Sequence, residues 1–301
     1  MKNILVIGSV NMDMVINTPV LPKLGETLMG NGFMTSGGGK GANQATAIAK
    51  INGKCNMIGA VGCDEFGKVL CDNLESYGVD TSGISRLDCN TGVAVITVCN
   101  GDNHIIVDMG ANGKVTPEII DKNIHLIKQA DIVVMQLEIP METVVYAAKR
   151  AREYGAKVLL NPAPAAKLPE ELLSNVDILI PNEHEAEIIT GTADMAKAID
   201  ILKSCGVGQV IITLGSEGSM YTSGDEVKTC PAFKTQAVDT TAAGDTFIGA
   251  YCAALCDGKD TDYAVKFASL SSSITVARRG AAMSIPTMDE ILEKKETVWD
   301  D

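Results

Sequence analysis

No stretch of the chain approaches 18 uninterrupted apolar residues, and the opening MKNILVIGSVNMD carries an apolar run too short for a secretory signal, reaching Asp13 without a cleavage pattern. Neither a membrane-spanning helix nor a secreted product is expected, and a cytoplasmic location is. Basic charge is short as well: 25 Lys and Arg face 38 Asp and Glu, a formal net charge of −13, with the two signs interspersed. Such a surface offers no polybasic patch for a phosphodiester backbone or an anionic bilayer, so neither nucleic acid nor membrane is an expected partner. The nine cysteines include no C-x-x-C pair, and with only His104, His125 and His184 to join them no zinc-ligand spacing arises. Most cysteines lie in apolar segments, like Cys99 and Cys252, and read as reduced, buried small hydrophobes. No Pro/Ser-rich or charge-rich linker interrupts the 301 residues, so residues 1–301 are expected to form a single α/β domain around one large core.

The rest of the chain is organised around residues 238–251, VDTTAAGDTFIGAY. A run of small residues ends in Gly-Asp and passes straight into an apolar helical pattern, which marks a helix start. Ala242, Ala243 and Gly244 leave their backbone N–H groups open to close approach, and a first helical turn has unpaired donors and a positive dipole end. An anion is stabilised in such a place. Asp245 has two readings here: an acid set beside an anion site, or a helix cap, a role that Asp commonly fills.

Residues 2–7 are a short β-branched run ending at Gly8, expected as a buried first strand with residues 9–13, SVNMD, as the loop at its C-terminal edge. Ligands of open parallel sheets bind outside such edges, which puts Asn11 and Asp13 at a pocket rim, although an Asx turn would use the same two residues. Residues 14–33 scatter their apolar side chains among Pro19, Pro22, Gly25 and Gly30, and residues 91–108 read as a hairpin around Asn100, Gly101 and Asp102. These excursions, within about 14–35 and 91–108, predict a small separate sheet that serves as a lid or as a dimer interface.

Between them, residues 36–45, SGGGKGANQA, lead into a helical run over 44–51. The glycines permit close backbone approach, Lys40 supplies a point charge, and Asn43 offers both a donor and an acceptor, as a polar ligand would need. It is not a dinucleotide fingerprint, because the G-x-G-x-x-G register fails at Ala42 and no buried strand precedes it. Residues 62–69, GCDEFGKV, nearly spell a P-loop, but Val69 has no hydroxyl for Mg²⁺ and Asp64 and Glu65 would repel phosphates, so a strand-to-helix turn into residues 68–77 is expected instead.

From residue 130 onward strand-like and helix-like runs alternate: 132–137, 141–154, 157–160, 170–173, 177–180, 183–190, 196–203 and 210–213. Apolar strands in β-α repetition predict a mostly parallel sheet covered on both faces. Polar residues stand where these strands end: Gln136 and Glu138, Asn161, Asn182 and Glu185, Thr213 and Ser216. Asn161, followed by Pro162, is expected to be structural. Two apolar helices over 246–256 and 261–277 should pack on the sheet, and residues 290–301 read as a charged, solvated helix end.

Asn11 and Asp13, GGGKGANQA, MQLE at 135–138, NPAPA at 161–165, PNEHEAE at 181–187, TLGSEG at 213–218 and DTTAAGDTF at 239–247 follow one another in an order that spans nearly the whole chain. Together they resemble the ribokinase branch of the PfkB-type carbohydrate kinase family, the two glycine-rich signatures being specific as a pair. The resemblance implies an α/β fold, a Rossmann-like three-layer sandwich with a mostly parallel central sheet and a β-sheet lid that commonly forms a homodimer. It also implies ATP-dependent phosphorylation of D-ribose at its 5-hydroxyl.

By the same resemblance, Asp245 corresponds to the base that takes the sugar proton, and the amides of Ala242, Ala243 and Gly244 to the anion hole for the transferring phosphoryl group. Asn11, Asp13, Gly39, Lys40, Asn43 and Glu138 match sugar-contact positions. Asn182, Thr213, Gly215, Ser216, Gly218 and Gly244 match nucleotide positions, with Ser269 by position only. Glu185 matches the acid that organises Mg²⁺ through its waters. Asp239, Thr241, Thr275, Arg278, Gly280 and Ser284 match a site for a monovalent cation, usually K⁺, several of them through backbone carbonyls. Met12 and Met109 depart from the pattern by bringing bulk near the sugar pocket or lid. A sister kinase for deoxyribose, a nucleoside or another small sugar shares these motifs, as would a non-catalytic sugar-binding regulator that kept the fold. A nicotinamide-dependent oxidoreductase fails at the missing fingerprint after the first strand.

Overall fold

The computed structural model describes residues 3–99 and 102–299. In chain order the strands are β1 (Ile4–Ile7), β2 (Asn11–Thr18), β3 (Asn31–Gly38), β4 (Cys55–Gly62), β5 (Val79–Leu87), β6 (Gly92–Cys99), β7 (Asp102–Asp108), β8 (Ile132–Met135), β9 (Lys157–Leu160), β10 (Ile178–Leu179), β11 (Gln209–Thr213), β12 (Ser219–Ser223) and β13 (Glu226–Cys230). The α-helices are α1 (Lys40–Asn52), α2 (Glu65–Ser76), α3 (Pro117–Lys122), α4 (Ile124–Gln129), α5 (Met141–Glu153), α6 (Glu170–Leu173), α7 (Glu183–Thr190), α8 (Met195–Ser204), α9 (Ala243–Cys256), α10 (Thr261–Thr275) and α11 (Met288–Val298).

Nine strands make the central sheet in the order β13-β12-β11-β10-β9-β8-β1-β4-β5. The seven from β11 to β5 are mutually parallel, while β12 and β13 add an antiparallel edge. Successive side chains of a strand point to opposite faces, so each apolar strand feeds two cores. Ile4, Val6, Ile132, Val134 and Ile211 join the core under α1, α9 and α10, while Leu5, Ile7, Val133, Met135, Val210 and Ile212 join the one under α5 and α8. Burial on both faces is why these strands read as continuous apolar runs rather than alternating ones. The β12–β13 hairpin is absent from the sequence reading because Met220, Tyr221 and Val227 are scattered among polar residues, as an edge ribbon allows.

The second sheet has the order β3-β2-β6-β7 and is mixed, β2 running parallel to β6 and antiparallel to β3, with β6 and β7 antiparallel. The expected turn at Asn100 and Gly101 lies outside the described residues. Residues 9–13 are not all loop: β2 begins at Asn11, because backbone pairing to Gly38 on one side and Gly92 on the other claims that residue for the small sheet. Likewise α1 begins at Lys40, four residues before the expected helical run, with Gly39 as its N-cap at φ 89°.

Asp64 caps α2 by accepting from the Gly67 N–H at 2.8 Å, so the P-loop look-alike is a strand-to-helix turn. The C-terminal segment differs from expectation. A Thr287/Glu290 capping box starts α11, Ile291 is fully buried, and Trp299 packs on Phe233 and Tyr263 with ring centroids 6.1 and 5.2 Å away, so the last helix is docked. Two apolar anchors, Ile291 and Trp299, dock a mostly charged segment, and Lys266 and Lys295 lie over the Trp299 ring. Five of the nine cysteines are buried, two of these in the apolar segments of Cys99 and Cys252.

Candidate active site

Polar side chains from five strand ends and two helix starts meet at the carboxyl edge of the central sheet. The meeting point is the start of α9. Its N-cap, Ala242, has φ 61° and is the one non-glycine residue with positive φ among the described residues. Left-handed backbone at a residue with a Cβ is strained by roughly 1–2 kcal/mol, and such strain gathers where geometry serves a function. No side chain caps this helix. Among the described residues no acceptor faces the N–H groups of Ala242, Gly244 and Asp245, whereas the Ala243 N–H donates to Thr240 O at 3.2 Å. The open donors are therefore those of 242, 244 and 245 rather than 242, 243 and 244, because the tight turn from Thr240 uses the amide of Ala243.

Asp245 is not the cap of α9. Its carboxylate is turned into the molecule, 8% exposed, where Asn43 Nδ2 donates to Oδ2 at 3.1 Å and Gln44 Nε2 donates to Oδ1 at 3.0 Å. Burial raises its pKa above the ordinary carboxylate value, the Lys40 charge and the two amide donors oppose this, and Glu138 reinforces it. Glu138 follows β8, and its Oε2 accepts from the Ser9 hydroxyl at 2.6 Å and from the Lys40 N–H at the start of α1 at 3.0 Å. Glu138 thus satisfies a first-turn donor of α1 and ties that helix to the end of β1.

Asn11 and Asp13 enter the site from β2. Asn112 Nδ2 donates to Asn11 Oδ1 at 2.7 Å and to Val10 O at 3.1 Å, fixing the Asn11 amide so that its own NH₂ is left to donate elsewhere. Asp13 lies across Gly38: a methyl group on Gly38 would stand 2.1 Å from Asp13 Oδ2, so only glycine admits the carboxylate there. Burial, then the charges of Glu138 and Asp245, push the Asp13 pKa up to about 7. Three acids drawn together beside one lysine are a costly arrangement, suited to a ligand rich in hydroxyl donors. Of the two methionines, Met12 is buried in the apolar core and Met109 is 40% exposed just after β7.

The residues matched to nucleotide and metal stand after β10 and β11 and on α10. Asn182 and Glu185 form a capping box on α7: the Glu185 N–H donates to Asn182 Oδ1 and the Asn182 N–H to Glu185 Oε2, both at 2.8 Å. Burial raises the Glu185 pKa, opposed by the Asn182 N–H and Lys40 and assisted by Asp245. Asn182 bridges to Thr213 at the end of β11, which leads into the exposed turn of Gly215 and Ser216, closed by Gly218 at φ 103°. Ser269 is buried on α10.

Asp239 accepts from Thr241 N–H at 2.9 Å, Thr241 Oγ1 at 2.6 Å and Gly280 N–H at 3.0 Å, so it clips the 239–241 turn to the loop after α10. Burial alone would raise its pKa, yet these donors hold it below the ordinary range. The Thr275 hydroxyl pairs with that of Thr246, Arg278 with Glu290, and the Ser284 hydroxyl with Ala281 O, so the groups these three residues have left to offer a cation are oxygens. An oxygen-only set of that kind fits a hard cation. Among the described residues no group of three or more His, Cys, Asp and Glu side chains is arranged as a metal site.

Sequence reasoning missed Ser9, Gln44 and Asn112 as parts of the site, and placed Gln136 at the strand edge without a role. Ser9 and Gln44 stand in a quoted loop and motif and Asn112 in none, but their side-chain partners lie 32 to 201 residues away along the chain, beyond any local signal. Asn161 is structural as expected, donating to Ile180 O at 2.9 Å, and it also accepts from Gln44 at 3.2 Å.

The residues so assembled offer a proton acceptor, a set of fixed amide donors and a hydroxyl-binding cluster within one cleft. Residues 1–288 match the pfkB family carbohydrate kinase pattern. The chain is 41% identical over 299 residues to a ribokinase of Haemophilus influenzae, covering 97% of this chain and 98% of that one. It is 38% identical over 299 residues to a deoxyribokinase of Salmonella typhimurium, covering 97% and 98%. Among solved structures, Arabidopsis thaliana ribokinase complexed with ribose and ATP superposes with a TM-score of 0.92 at 34% identity, covering 97% of this chain and 98% of that one.

Proposed function

The chain belongs to the pfkB family of carbohydrate kinases, and from that premise we propose that it transfers the γ-phosphoryl group of ATP to the 5-hydroxyl of D-ribose, giving D-ribose 5-phosphate. The observation that carries this reading is the buried Asp245 carboxylate, held by two amide donors at the uncapped start of α9. In the reaction Asp245 accepts the proton of the ribose 5-hydroxyl as that oxygen forms its bond to the γ-phosphorus and the bond from phosphorus to the ADP oxygen breaks. The open N–H groups of Ala242, Gly244 and Asp245, with the dipole of α9, stabilise charge on the phosphoryl oxygens in transit. Asn11, Asp13, Gly39, Lys40, Asn43 and Glu138 hold the sugar, carboxylates accepting from its hydroxyls. Asn182, Thr213, Gly215, Ser216, Gly218 and Ser269 hold the nucleotide.

Glu185 has one oxygen committed to the Asn182 N–H and the other left for water, which fits an indirect contact to Mg²⁺. Bound there, Mg²⁺ would neutralise charge on the phosphate oxygens. The carbonyls around Asp239, Thr241, Thr275, Arg278, Gly280 and Ser284 fit K⁺, and a cation there would stiffen the turn that presents the open amides. A cytoplasmic location follows from the use of ATP.

An ADP-release assay with Mg²⁺ and ATP tests substrate and cation together. Ribose should be preferred over 2-deoxyribose and adenosine by a factor of about 10² or more, the scale on which a hydrogen-bonding site rejects a missing hydroxyl. Replacing K⁺ with a large organic cation at equal ionic strength should slow turnover. Faster turnover of deoxyribose would reassign the chain to the sister activity, the second reading that the Salmonella relative favours.

We also propose that the lid sheet pairs two copies of the chain. On one of its faces Val95 (43%) and Ile106 (75%), paired across β6 and β7, are exposed, an apolar patch that water disfavours. Ile106→Asp should convert a dimer of 31.7 kDa chains to monomers in sedimentation equilibrium and raise the KM for ribose, since the lid would lose its support. A wild-type monomer would refute the pairing.

A further inference from the structure

Gln44 has no exposed surface, so it cannot touch a sugar or a nucleotide in the cleft. Yet it holds the centre of a buried amide chain that ends on the proposed base. Both protons of its Nε2 are assigned, one to Asp245 Oδ1 at 3.0 Å and one to Asn161 Oδ1 at 3.2 Å. Its Oε1 accepts from Gln136 Nε2 at 2.6 Å. Asn161 is anchored in turn by donating to Ile180 O at 2.9 Å. The chain thus runs from the ends of β8, β9 and β10 through α1 to the first turn of α9.

The polarity of this chain is fixed at Asn161, whose NH₂ is claimed by the Ile180 carbonyl so that its Oδ1 faces Gln44 Nε2, and it propagates through Gln44 Oε1 to Gln136. Gln136 Oε1 is buried with no hydrogen-bond partner and lies against Gly8, where a methyl group would approach it to 2.0 Å. An unpartnered buried acceptor is costly, and flipping the Gln136 amide would set one carbonyl oxygen against another at Gln44. The orphaned oxygen is the consequence of keeping Nε2 on Gln44. With Asn161 so held, Gln44 can present only its NH₂ to the carboxylate, and with Asn43 Nδ2 on Oδ2 the plane of the Asp245 carboxylate is set by one donor on each oxygen.

We propose that Gln44 is a positioning residue for Asp245, and that Gln136 and Asn161 act through it by fixing which end of its amide faces the carboxylate. This rests on the reading of Asp245 as the base. Gln44 favours the ionised form of the carboxylate and aims its remaining lone pairs at the cleft, against the effects of burial and of the Glu138, Glu185 and Asp13 charges, with Lys40 and Asn43 acting in the same direction.

The test compares Gln44→Met, Gln136→Met, Asp245→Asn and the double variant Gln44→Met/Asp245→Asn, each checked for cooperative thermal unfolding, in the ADP-release assay from pH 5 to 9. Gln44→Met should lower kcat by roughly 10- to 10²-fold, the effect of one hydrogen bond to a charged group. The KM for ribose should stay within about threefold, because the lost interaction is with the base and not with the sugar. The acid limb of kcat should move to higher pH, since a donor to the ionised form is gone. Gln136→Met should move kcat and the acid limb the same way by less, and it carries the test if Gln44→Met does not fold. The double variant should be no slower than Asp245→Asn, because Gln44 acts only through that carboxylate. A folded Gln44→Met with wild-type kcat and acid limb overturns the proposal, as does further slowing in the double variant. Should Asp245→Asn itself keep most of the rate, the assignment of the base fails instead, and the two failures are told apart.

Discussion

Asp245→Asn is expected to lower kcat by roughly 10²- to 10⁴-fold, the usual contribution of a general base. The substitution keeps the size of the side chain but leaves a group that cannot take the ribose proton, and one end of the new amide must face a donor on Asn43 or Gln44. The KM for ribose should change little, because the loss is confined to the transition state. The wild-type rate should fall with acid, and at a higher pH than an ordinary aspartate would give, because burial raises this pKa and protonation removes the acceptor. Retention of most of the wild-type rate in Asp245→Asn would remove the residue from this role.

Asp13→Asn should act on binding rather than on turnover. The Asp13 pKa is pushed up to about 7, so the carboxyl is largely protonated at pH 5 and ionised at pH 8. Sugar hydroxyls donate to the ionised form. Ribose affinity should therefore strengthen by up to about tenfold per pH unit as pH rises toward 7, and level off above it. In Asp13→Asn the KM should be roughly 10²-fold higher, the loss expected for hydrogen bonds to a charged group, with kcat within about tenfold of wild type.

Stability without sugar should move the other way. An acid whose pKa is raised by folding binds its proton more tightly in the folded state, so Asp13 costs stability progressively as pH rises from the ordinary carboxylate value through about 7. Asp13→Asn, uncharged at every pH, should melt no lower than wild type at pH 8 in the absence of ribose. A lower melting temperature at pH 8 together with an unchanged KM would show Asp13 to be structural.

Much of the frame was legible beforehand for a physical reason. Strands buried on both faces must be apolar at every position, so β1, β8, β9 and β11 stand out as runs, and their alternation with helices dictates a parallel sheet. The polar residues that interrupt those runs mark the sheet edge. The start of α9 was equally legible, because small residues before an apolar helix leave donors that nothing nearby can satisfy. Less could be read where a segment has mixed character. The β12–β13 ribbon and the docked α11 depend on a few apolar anchors, such as Tyr221, Ile291 and Trp299, whose burial is decided by what happens to lie beside them.

The sequence by itself thus determined the class of sheet, the edge where chemistry occurs and the residue types available there, since all three follow from periodicity and from backbone donors within a turn or two. Tertiary structure alone decided which of those residues work together. Asn43 and Gln44 reach Asp245 across 202 and 201 residues, and Ser9 reaches Glu138 across 129, because the strand order sets β1 between β4 and β8 and α1 packs on α9. It also decided that the Asp245 carboxylate is held by Asn43 and Gln44 and does not cap α9, and that the amide of Ala243 is already engaged by Thr240. A side chain's partner at such separations is fixed by packing of the whole sheet and its helices, and no local pattern along the chain encodes it.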